Sequence, residues 1–401
     1  MRTEQPRSAG RRRYLAALAG VVGFSGCLQF SEGGDTASPT RNGTRTPTPQ
    51  TTAQSTAEAD TESLPPGTRW TVDAEAPFVA GPVHVDGTVV ATSVDRHVYG
   101  VDAATGDQQW AAGTETSLEN GLTVVDGVTV AAGTEEQVGV GVSDGSKRYQ
   151  HVDFEYGSRA QTAGDELVFQ SGFLNGGVRA VRPATGEIAW SSEIDESESE
   201  SSTSRPGIDH DGETVCVGIN PEGRHGGPPW GFAGYDAASG EELWYHERDS
   251  DVDHANPSVV VSEGVCFGYS GWDHYMSIDA RSGEVRTEVA DSGVGTIYGA
   301  ADGTVVLTNR AELQGVDVAT GETRWRSDRT PAHDTLSFDG STLWFVDDSD
   351  TLYRADVPSG DVREVQALEL GDTSLTGDLA VTDETVFVTT EDATLRALDR
   401  T

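Results

Sequence analysis

The chain has 401 residues, with 66 acidic against 27 basic side chains and a formal net charge of -39. This balance argues against nucleic-acid binding, which needs clustered Lys and Arg to neutralise phosphates. A compact chain of such charge repels itself, whereas molar salt shortens the Debye length to about 3 Å and screens the repulsion. We therefore expect a halophilic archaeal source, with capture of cations by the acidic surface as the weaker alternative.

Residues 1–27 have the order of a signal peptide that ends in a lipidation site. Three arginines at 11–13 precede a short apolar run at 14–24, which is about half of what spans a bilayer. The next residues, Phe24-Ser25-Gly26-Cys27, resemble a lipobox, and the paired arginines resemble a twin-arginine export signal. We predict a lipid anchor at Cys27 on the extracellular face of the cytoplasmic membrane. The alternative is an N-terminal tail with an accidental cysteine.

Residues 28–66 are dominated by Thr, Ser, Pro and Gly. Such a segment buries too little apolar surface to offset its chain entropy, so we expect a disordered stalk. Asn42 begins an Asn-Gly-Thr sequon and is a candidate glycosylation site.

From residue 67 to 401 one pattern of short strands returns, and its clearest copy is residues 81–110. In that copy Gly87 permits a tight hairpin turn, because glycine accepts a positive φ. A second turn, at Gly106, leads into a strand that carries Trp110. Four short antiparallel strands in about 40 residues predict one blade of a β-propeller. The predicted first three strands are residues 83–85, 88–93 and 97–102.

The turn glycine counts the blades. It lies at Gly106, Gly145, Gly186, Gly240, Gly283, Gly321 and Gly360, and most of its neighbours recur with it. Strands predicted at 375–381, 385–390 and 394–399 then lack an outer strand, whereas Trp70 and its flanking strand precede the first blade. Joining these termini gives seven whole blades and one split blade, and it removes the open sheet edges. We predict an all-β, eight-bladed propeller, with seven blades as the alternative.

The recurring Ala/Gly-x-Asp-x-x-Thr/Ser-Gly-x-x-x-Trp motif resembles the docking motif of PQQ-like (quinoprotein-type) propellers. The resemblance implies that the Trp of one blade packs against the next blade. Tyr149, Thr287 and Glu364 replace the Trp in three copies, so we expect looser blade junctions there. The docking residues that we assign are Trp70, Trp110, Trp190, Trp244 and Trp325, with Gly106, Gly186, Gly240 and Gly321 at the turns.

The largest departures from the repeat fall in loops of blades three to five. In the propeller topology these loops share one face, and function concentrates in loops on a rigid scaffold. We therefore predict a binding rim there, with loop drift and no ligand as the alternative. The candidate residues are Arg224, His225, Trp230, Trp272, Asp273 and His274.

Other chemistry is weakly indicated. His225, His254 and His274 have no second ligand at a fixed spacing, and the acidic turn at 347–350 lacks the order of a calcium loop. Cys216 and Cys266 are interpreted as equivalent positions of neighbouring blades that do not face each other. Buried free thiols are therefore expected, with a disulfide as the alternative.

Two classes of function remain. The resemblance implies PQQ as a cofactor, but the dehydrogenases of that family carry adjacent cysteines, and this chain has no such pair. We therefore expect no cofactor and predict a monomeric, non-catalytic scaffold for envelope or membrane proteins, similar to the propeller lipoproteins that organise membrane-protein assembly in bacteria. The alternative is a quinone-dependent dehydrogenase or its accessory subunit.

Overall fold

The computed structural model describes residues 64, 66–152, 158–164, 166–172, 177–192, 207–219, 231–247, 258–269, 274–290, 294–309, 312–332 and 335–400. These residues form β-strands joined by turns and short links. Within these ranges, no helix combines the length and the apolar character that crossing a bilayer requires.

The strands follow one another in groups of four. Blades one to four contain β2 (Phe78–Val85), β3 (Thr88–Ser93), β4 (His97–Asp102), β5 (Gln108–Gly113), β6 (Leu122–Val125), β7 (Val128–Ala132), β8 (Glu136–Gly141), β9 (Lys147–Val152), β10 (Ser158–Ala163), β11 (Val168–Gly172), β12 (Val178–Val181), β13 (Ile188–Ser192), β14 (Ile208–His210), β15 (Thr214–Ile219), β16 (Gly231–Asp236) and β17 (Glu242–Glu247). Blades five to eight contain β18 (Ser258–Ser262), β19 (Val265–Tyr269), β20 (His274–Asp279), β21 (Val285–Ala290), β22 (Val294–Ala301), β23 (Thr304–Asn309), β24 (Glu312–Asp317), β25 (Thr323–Ser327), β26 (Leu336–Asp339), β27 (Thr342–Val346), β28 (Thr351–Asp356), β29 (Asp361–Ala367), β30 (Leu375–Val381), β31 (Thr385–Thr390) and β32 (Thr394–Asp399), with β1 (Thr68–Asp73) completing blade eight.

Each blade is a four-stranded antiparallel sheet, and there are eight such sheets. The last sheet has the order β1-β32-β31-β30, so the N-terminal strand pairs with the C-terminal one. This confirms the eight-bladed fold with a split blade, and the seven-bladed alternative is wrong.

The turns between first and second strands follow from local sequence. In blade one, Asp86 has a φ of 47° and Gly87 a φ of 78°, which matches the twist of a two-residue hairpin. The first strand of this blade is longer than the sequence indicates, because it begins at Phe78 and continues past irregular pairing near Gly81, whose φ is 88°. Pro82 follows this glycine and has no N–H to donate, so the regular alternation of side chains along the strand is interrupted there.

The apolar core lies between blades, not within one. At the junction of blades eight and one, Val89, Ala91 and Tyr99 pack against Phe387 and Ala397. A blade is a single sheet, so it can bury its two faces only against its neighbours. The stability of the ring therefore depends on each junction.

The split blade reproduces the contacts of a continuous one. Arg69 on β1 forms an ion pair with Asp399, and its Nη1 donates to Thr385 Oγ1 at 2.8 Å. In blade six, Arg324 makes the corresponding bonds to Asp317 and Thr304. Blade eight therefore keeps the contacts at its outer edge although its strands come from both termini.

Candidate functional site

The blade junctions share one docking geometry. Trp110 donates its indole N–H to the carbonyl of Val142 in the next blade at 2.7 Å. Its ring lies against Gly100 of its own blade and the turn glycine Gly145 of the next, where an added Cβ would overlap the indole. The corresponding indole bonds are Trp70 to Ala103 at 3.1 Å, Trp190 to Ala237 at 2.9 Å, Trp244 to Ala280 at 2.8 Å and Trp325 to Val357 at 2.7 Å.

The motif aspartate fixes the turn that receives the indole. In blade one, Asp102 Oδ1 accepts the backbone N–H groups of Ala104 and Thr105, both at 2.9 Å. These bonds stabilise the carboxylate and hold the pKa of Asp102 below its ordinary value. Gly106, with a φ of 79°, then lies against Trp70 on the outer strand of blade eight.

Two of the three junctions without a docking Trp differ from each other. At the junction of blades five and six, Thr287 Oγ1 donates to the Ala319 carbonyl at 3.3 Å, and the Tyr275 hydroxyl donates to the Gly321 carbonyl at 2.9 Å. At the junction of blades two and three, Tyr149 lies on Gly186, but its buried hydroxyl finds no hydrogen-bond partner in the described part of the chain. At the first junction the Thr287 and Tyr275 bonds replace the indole bond. At the second, His151 Nε2 lies 3.2 Å from the Gly186 carbonyl, while the Tyr149 hydroxyl stays without a partner among the described residues.

At the third such junction, between blades seven and eight, the C-terminal residues supply contacts. Gln366 Nε2 donates to the Asp399 carbonyl at 2.6 Å. The Arg400 guanidinium lies 4.6 Å from the centre of the Trp344 ring, which is a cation–π distance.

The candidate rim is carried by strand ends that the structure describes, while its side chains lie outside the described residues. In blade four, Ile219 pairs with Gly231, so residues 220–230 leave and re-enter the sheet at neighbouring points. The corresponding loop of blade five runs from Tyr269 to the first residue of β20, His274, and that of blade three from Gly172 to Val178. Arg224, His225, Trp230, Trp272 and Asp273 lie outside the described residues, as do Cys27, Asn42 and His254, and only the backbone of His274 is described.

The same face over blades one, two, seven and eight carries short turns, and buried or half-buried carboxylates brace several of them. Glu136 is fully buried and accepts the backbone N–H groups of Glu115 and Thr116, at 2.8 and 2.6 Å, in the link that enters its blade. Asp95 accepts the Glu75 N–H at 3.3 Å and the Tyr99 hydroxyl at 2.6 Å.

In blade seven, Asp347 Oδ1 accepts the Ser349 hydroxyl at 2.6 Å and the Thr351 N–H at 3.1 Å. Its other oxygen lies 3.7 Å from Arg329 in the incoming link. In blade eight, Asp392 pairs with Arg396, and Glu391 N donates to the Ser374 carbonyl at 2.9 Å. One side of this face therefore consists of short turns tied to their links.

Within the described ranges, no group of three or more His, Cys, Asp or Glu side chains is placed to hold a metal ion. The acidic turn at 347–350 uses the Asp347 carboxylate for its own backbone and hydroxyl bonds.

The interpretation of the two cysteines is wrong in one respect. Cys216 and Cys266 are both buried and unbridged, but they lie in one apolar cluster between blades four and five. The positions are not equivalent, because Thr214 and Val265 pair with the motif aspartates, so Cys216 comes two residues after that point and Cys266 only one. A one-residue offset turns a strand side chain to the opposite face of its sheet. Each thiol therefore points towards the other blade.

Sequence reasoning also missed Asp209, which is 2% exposed at the same junction. Its Oδ2 accepts the N–H of Val261 in blade five at 2.7 Å, and its Oδ1 accepts the N–H of His210 at 2.8 Å. Burial raises the pKa of Asp209 to about 7, against the lowering effect of these two bonds. The only signal in the sequence was a charged residue in a short strand, and the other blades vary at this position.

Comparisons with known proteins agree with this architecture. The family model described as "Outer membrane protein assembly factor BamB" matches residues 66–155 and 232–338. A search of curated proteins found no match.

Among solved structures, BamB from Moraxella catarrhalis is similar with a TM-score of 0.57 and 14% identity, over 83% of this chain and 99% of that one. Sqt1 from Saccharomyces cerevisiae has a TM-score of 0.61 and 11% identity, over 84% of this chain and 99% of that one. The quinohemoprotein alcohol dehydrogenase from Comamonas testosteroni has a TM-score of 0.57 and 12% identity, over 83% of this chain and 76% of that one. At these identities the likeness shows the fold alone. The protein is an eight-bladed β-propeller, and two stretches of it, residues 66–155 and 232–338, match the BamB family model.

Proposed function

We propose that this protein is a lipid-anchored, non-catalytic propeller at the cell surface that binds envelope or membrane proteins through the rim of blades three to five. The observation that carries the proposal is the asymmetry of one face. On blades one, two, seven and eight the turns are short and tied down, as at Glu136 and Asp347. On blades three to five the loops depart from the repeat, and the longest loop between second and third strands, residues 220–230, joins the paired residues Ile219 and Gly231.

The residue types of the rim suit protein recognition. Trp230, Trp272 and Arg224 belong to the side chains that most often dominate binding energy at interfaces. In molar salt the Debye length is about 3 Å, so the net charge of -39 gives little long-range steering. Binding under those conditions depends on short-range contacts, which aromatic and guanidinium side chains provide.

The partner class is supported by the family match, whose printed description is an outer membrane protein assembly factor. For this chain we propose contact with membrane or envelope proteins. The anchor at Cys27 and the stalk of residues 28–66 complete the proposal. As a flexible chain, a stalk of this length has a root-mean-square span of about 35 Å, which would let the propeller reach neighbouring proteins on the membrane.

The test replaces residues 221–230 with a short Gly-Ser turn in the full-length protein. Envelope proteins that are cross-linked to the wild type in cells, and quantified by mass spectrometry, should fall by about tenfold or more in the variant. A matched control replaces the Gly340-Ser341 hairpin turn, which joins β26 to β27 on the opposite face, with Asn-Gly. Equal cross-linking by the loop variant and the wild type would contradict the proposal.

A second measurement distinguishes the enzymatic alternative. Purified protein is incubated with PQQ and calcium, and its absorbance and dye-linked oxidation of alcohols and sugars are recorded. We expect neither a bound-quinone band nor oxidation. A band together with turnover would replace the scaffold proposal with a dehydrogenase.

A further inference from the structure

The junction of blades four and five holds two thiols that belong to different blades. Cys216 lies on β15 and Cys266 on β19, and neither side chain is exposed to solvent. Both belong to one apolar cluster with Phe232 and Trp244 of blade four and Ile278 of blade five. Cys266 is also close enough to the Cys216 thiol to contribute to the raised pKa of that thiol.

The strand register explains why they meet. Asp209 is the cross-strand partner of Cys216, and Val261 is the cross-strand partner of Cys266. Cross-strand partners place their side chains on the same face of a sheet. The Asp209 carboxylate reaches across the junction to the Val261 N–H at 2.7 Å, so the face that carries Cys216 is turned towards the strand pair that carries Cys266.

The two inner strands approach closely at the same place. A Cβ added at Gly207 would lie 2.6 Å from the backbone nitrogen of Val259. The side-by-side position of the blades is therefore fixed by backbone contact and by the Asp209 bond. Because the two cysteines already face each other's blade within one buried cluster, an S–S bond needs little movement of either strand.

We propose that Cys216 and Cys266 form an interblade disulfide when the protein folds in an oxidising environment. The oxidant is a small disulfide such as glutathione disulfide. One cysteine thiolate attacks a sulfur of that disulfide and releases one glutathione thiol, and the second cysteine thiolate then displaces the other. The cysteines lose two protons and two electrons in total, and these leave in the two glutathione thiols.

The cross-link forms before the blades close completely. Burial, and then the neighbouring Cys266, raise the pKa of the Cys216 thiol well above its ordinary value. The thiolate is the reactive form, so exchange in the folded protein is slow and folding fixes the redox state. This inference does not depend on the binding rim.

The test uses the full-length chain, unfolded with reductant and refolded in molar salt with a glutathione redox buffer. The refolded protein is then denatured in iodoacetamide without reductant, digested, and analysed by mass spectrometry. We expect the two segments that carry Cys216 and Cys266 as one cross-linked species, which separates after reduction. Because each cysteine is identified in its own peptide, a signal from Cys27 is not mistaken for one from Cys216 or Cys266. Two carbamidomethylated cysteines in the correctly refolded protein would overturn the proposal.

A stability measurement is independent of the digest. Closing the segment between the two cysteines should raise the Tm by about 6 °C relative to the reduced protein. Cys216→Ala and Cys266→Ala variants, each compared with and without reductant, should show no such difference. If the wild type also unfolds at the same temperature with and without reductant, the proposal fails.

Discussion

Asp209 is a buried acid whose carboxylate bonds backbone groups of two blades, Val261 and His210. Loss of hydration on burial is the larger effect, and it raises the pKa of Asp209 to about 7. In an unfolded chain an aspartate titrates near pH 4. Between these values the native protein holds a proton that the unfolded chain has released. The stability associated with this proton is therefore complete at about pH 4 and is lost as the pH rises through about 7.

Asp209→Asn should remove this pH dependence. Between pH 4 and pH 8, the free energy of unfolding of the wild type should fall by about 2–4 kcal/mol more than that of the variant. Denaturant titrations at constant molar salt measure this difference. Asp126→Asn is the control, because Asp126 is an exposed turn residue with a φ of 49° that Asn tolerates. Parallel curves for the wild type and Asp209→Asn would contradict the assignment.

Among the elements, the blades differ in what fills their junctions. The junction of blades two and three has a small apolar cluster, Val125, Val130, Ala163 and Val168. Buried amides lie in the same region, and Gln161 Nε2 donates to the Val130 carbonyl at 2.9 Å. The sequence predicts a loose junction here because Tyr149 replaces the docking Trp. The structure adds a physical cost, since the buried Tyr149 hydroxyl lacks a partner and such a group costs about 1–3 kcal/mol.

The hydroxyls of Tyr149 and Tyr275 should affect stability in opposite directions. Tyr149→Phe removes the unpartnered hydroxyl and should raise the free energy of unfolding by about 1 kcal/mol. Tyr275→Phe removes the bond to the Gly321 carbonyl and should lower it by about 1 kcal/mol. Both variants keep the aromatic ring, so denaturant unfolding compares the hydroxyls alone. Equal changes in the two variants would show that the junctions are not distinguished by their polar contacts.

At the scale of the whole molecule, the ring is closed by non-covalent pairing of β1 with β32. Its outer edge uses Arg69 with Asp399, as blade six uses Arg324 with Asp317. Both arginines are about one-third exposed, so molar salt screens each pair, and each contributes about 1 kcal/mol or less. The two pairs differ in connectivity. In blade six, a turn connects the outer strand β25 to its neighbour β24. In blade eight, the outer strand β1 is not connected by a turn to its neighbour β32 and is held there by pairing alone.

Arg69→Met and Arg324→Met should differ in the local opening of the outer strand and not in global stability. Both should lower the global free energy of unfolding by about 0.5–1 kcal/mol. In hydrogen-exchange mass spectrometry, the amides of β1 should exchange several-fold faster in Arg69→Met, because this strand can open alone. The amides of β25 should keep their protection in Arg324→Met. Loss of protection throughout blade eight instead would show that closure does not depend on the outer strand.

The propeller, its number of blades and its closure by both termini follow from the amino-acid sequence alone. These features depend on a local pattern that repeats, and each copy contains its own turn, its own strands and its own docking residue. Even the split blade is visible, because Trp70 stands where an eighth copy needs it. The choice of the rim as a binding surface also comes from the sequence, and it stays a prediction.

The side chains that meet across a blade junction depend on tertiary packing. The contact of Cys216 with Cys266 depends on a one-residue offset between two blades, which spacing from the motif did not reveal because the loop lengths differ. The pKa of Asp209 depends on burial and on a backbone group that lies 52 residues away in sequence. Faces of neighbouring blades are non-local partners, so a repeat pattern fixes their number but not the side chains that they bring together.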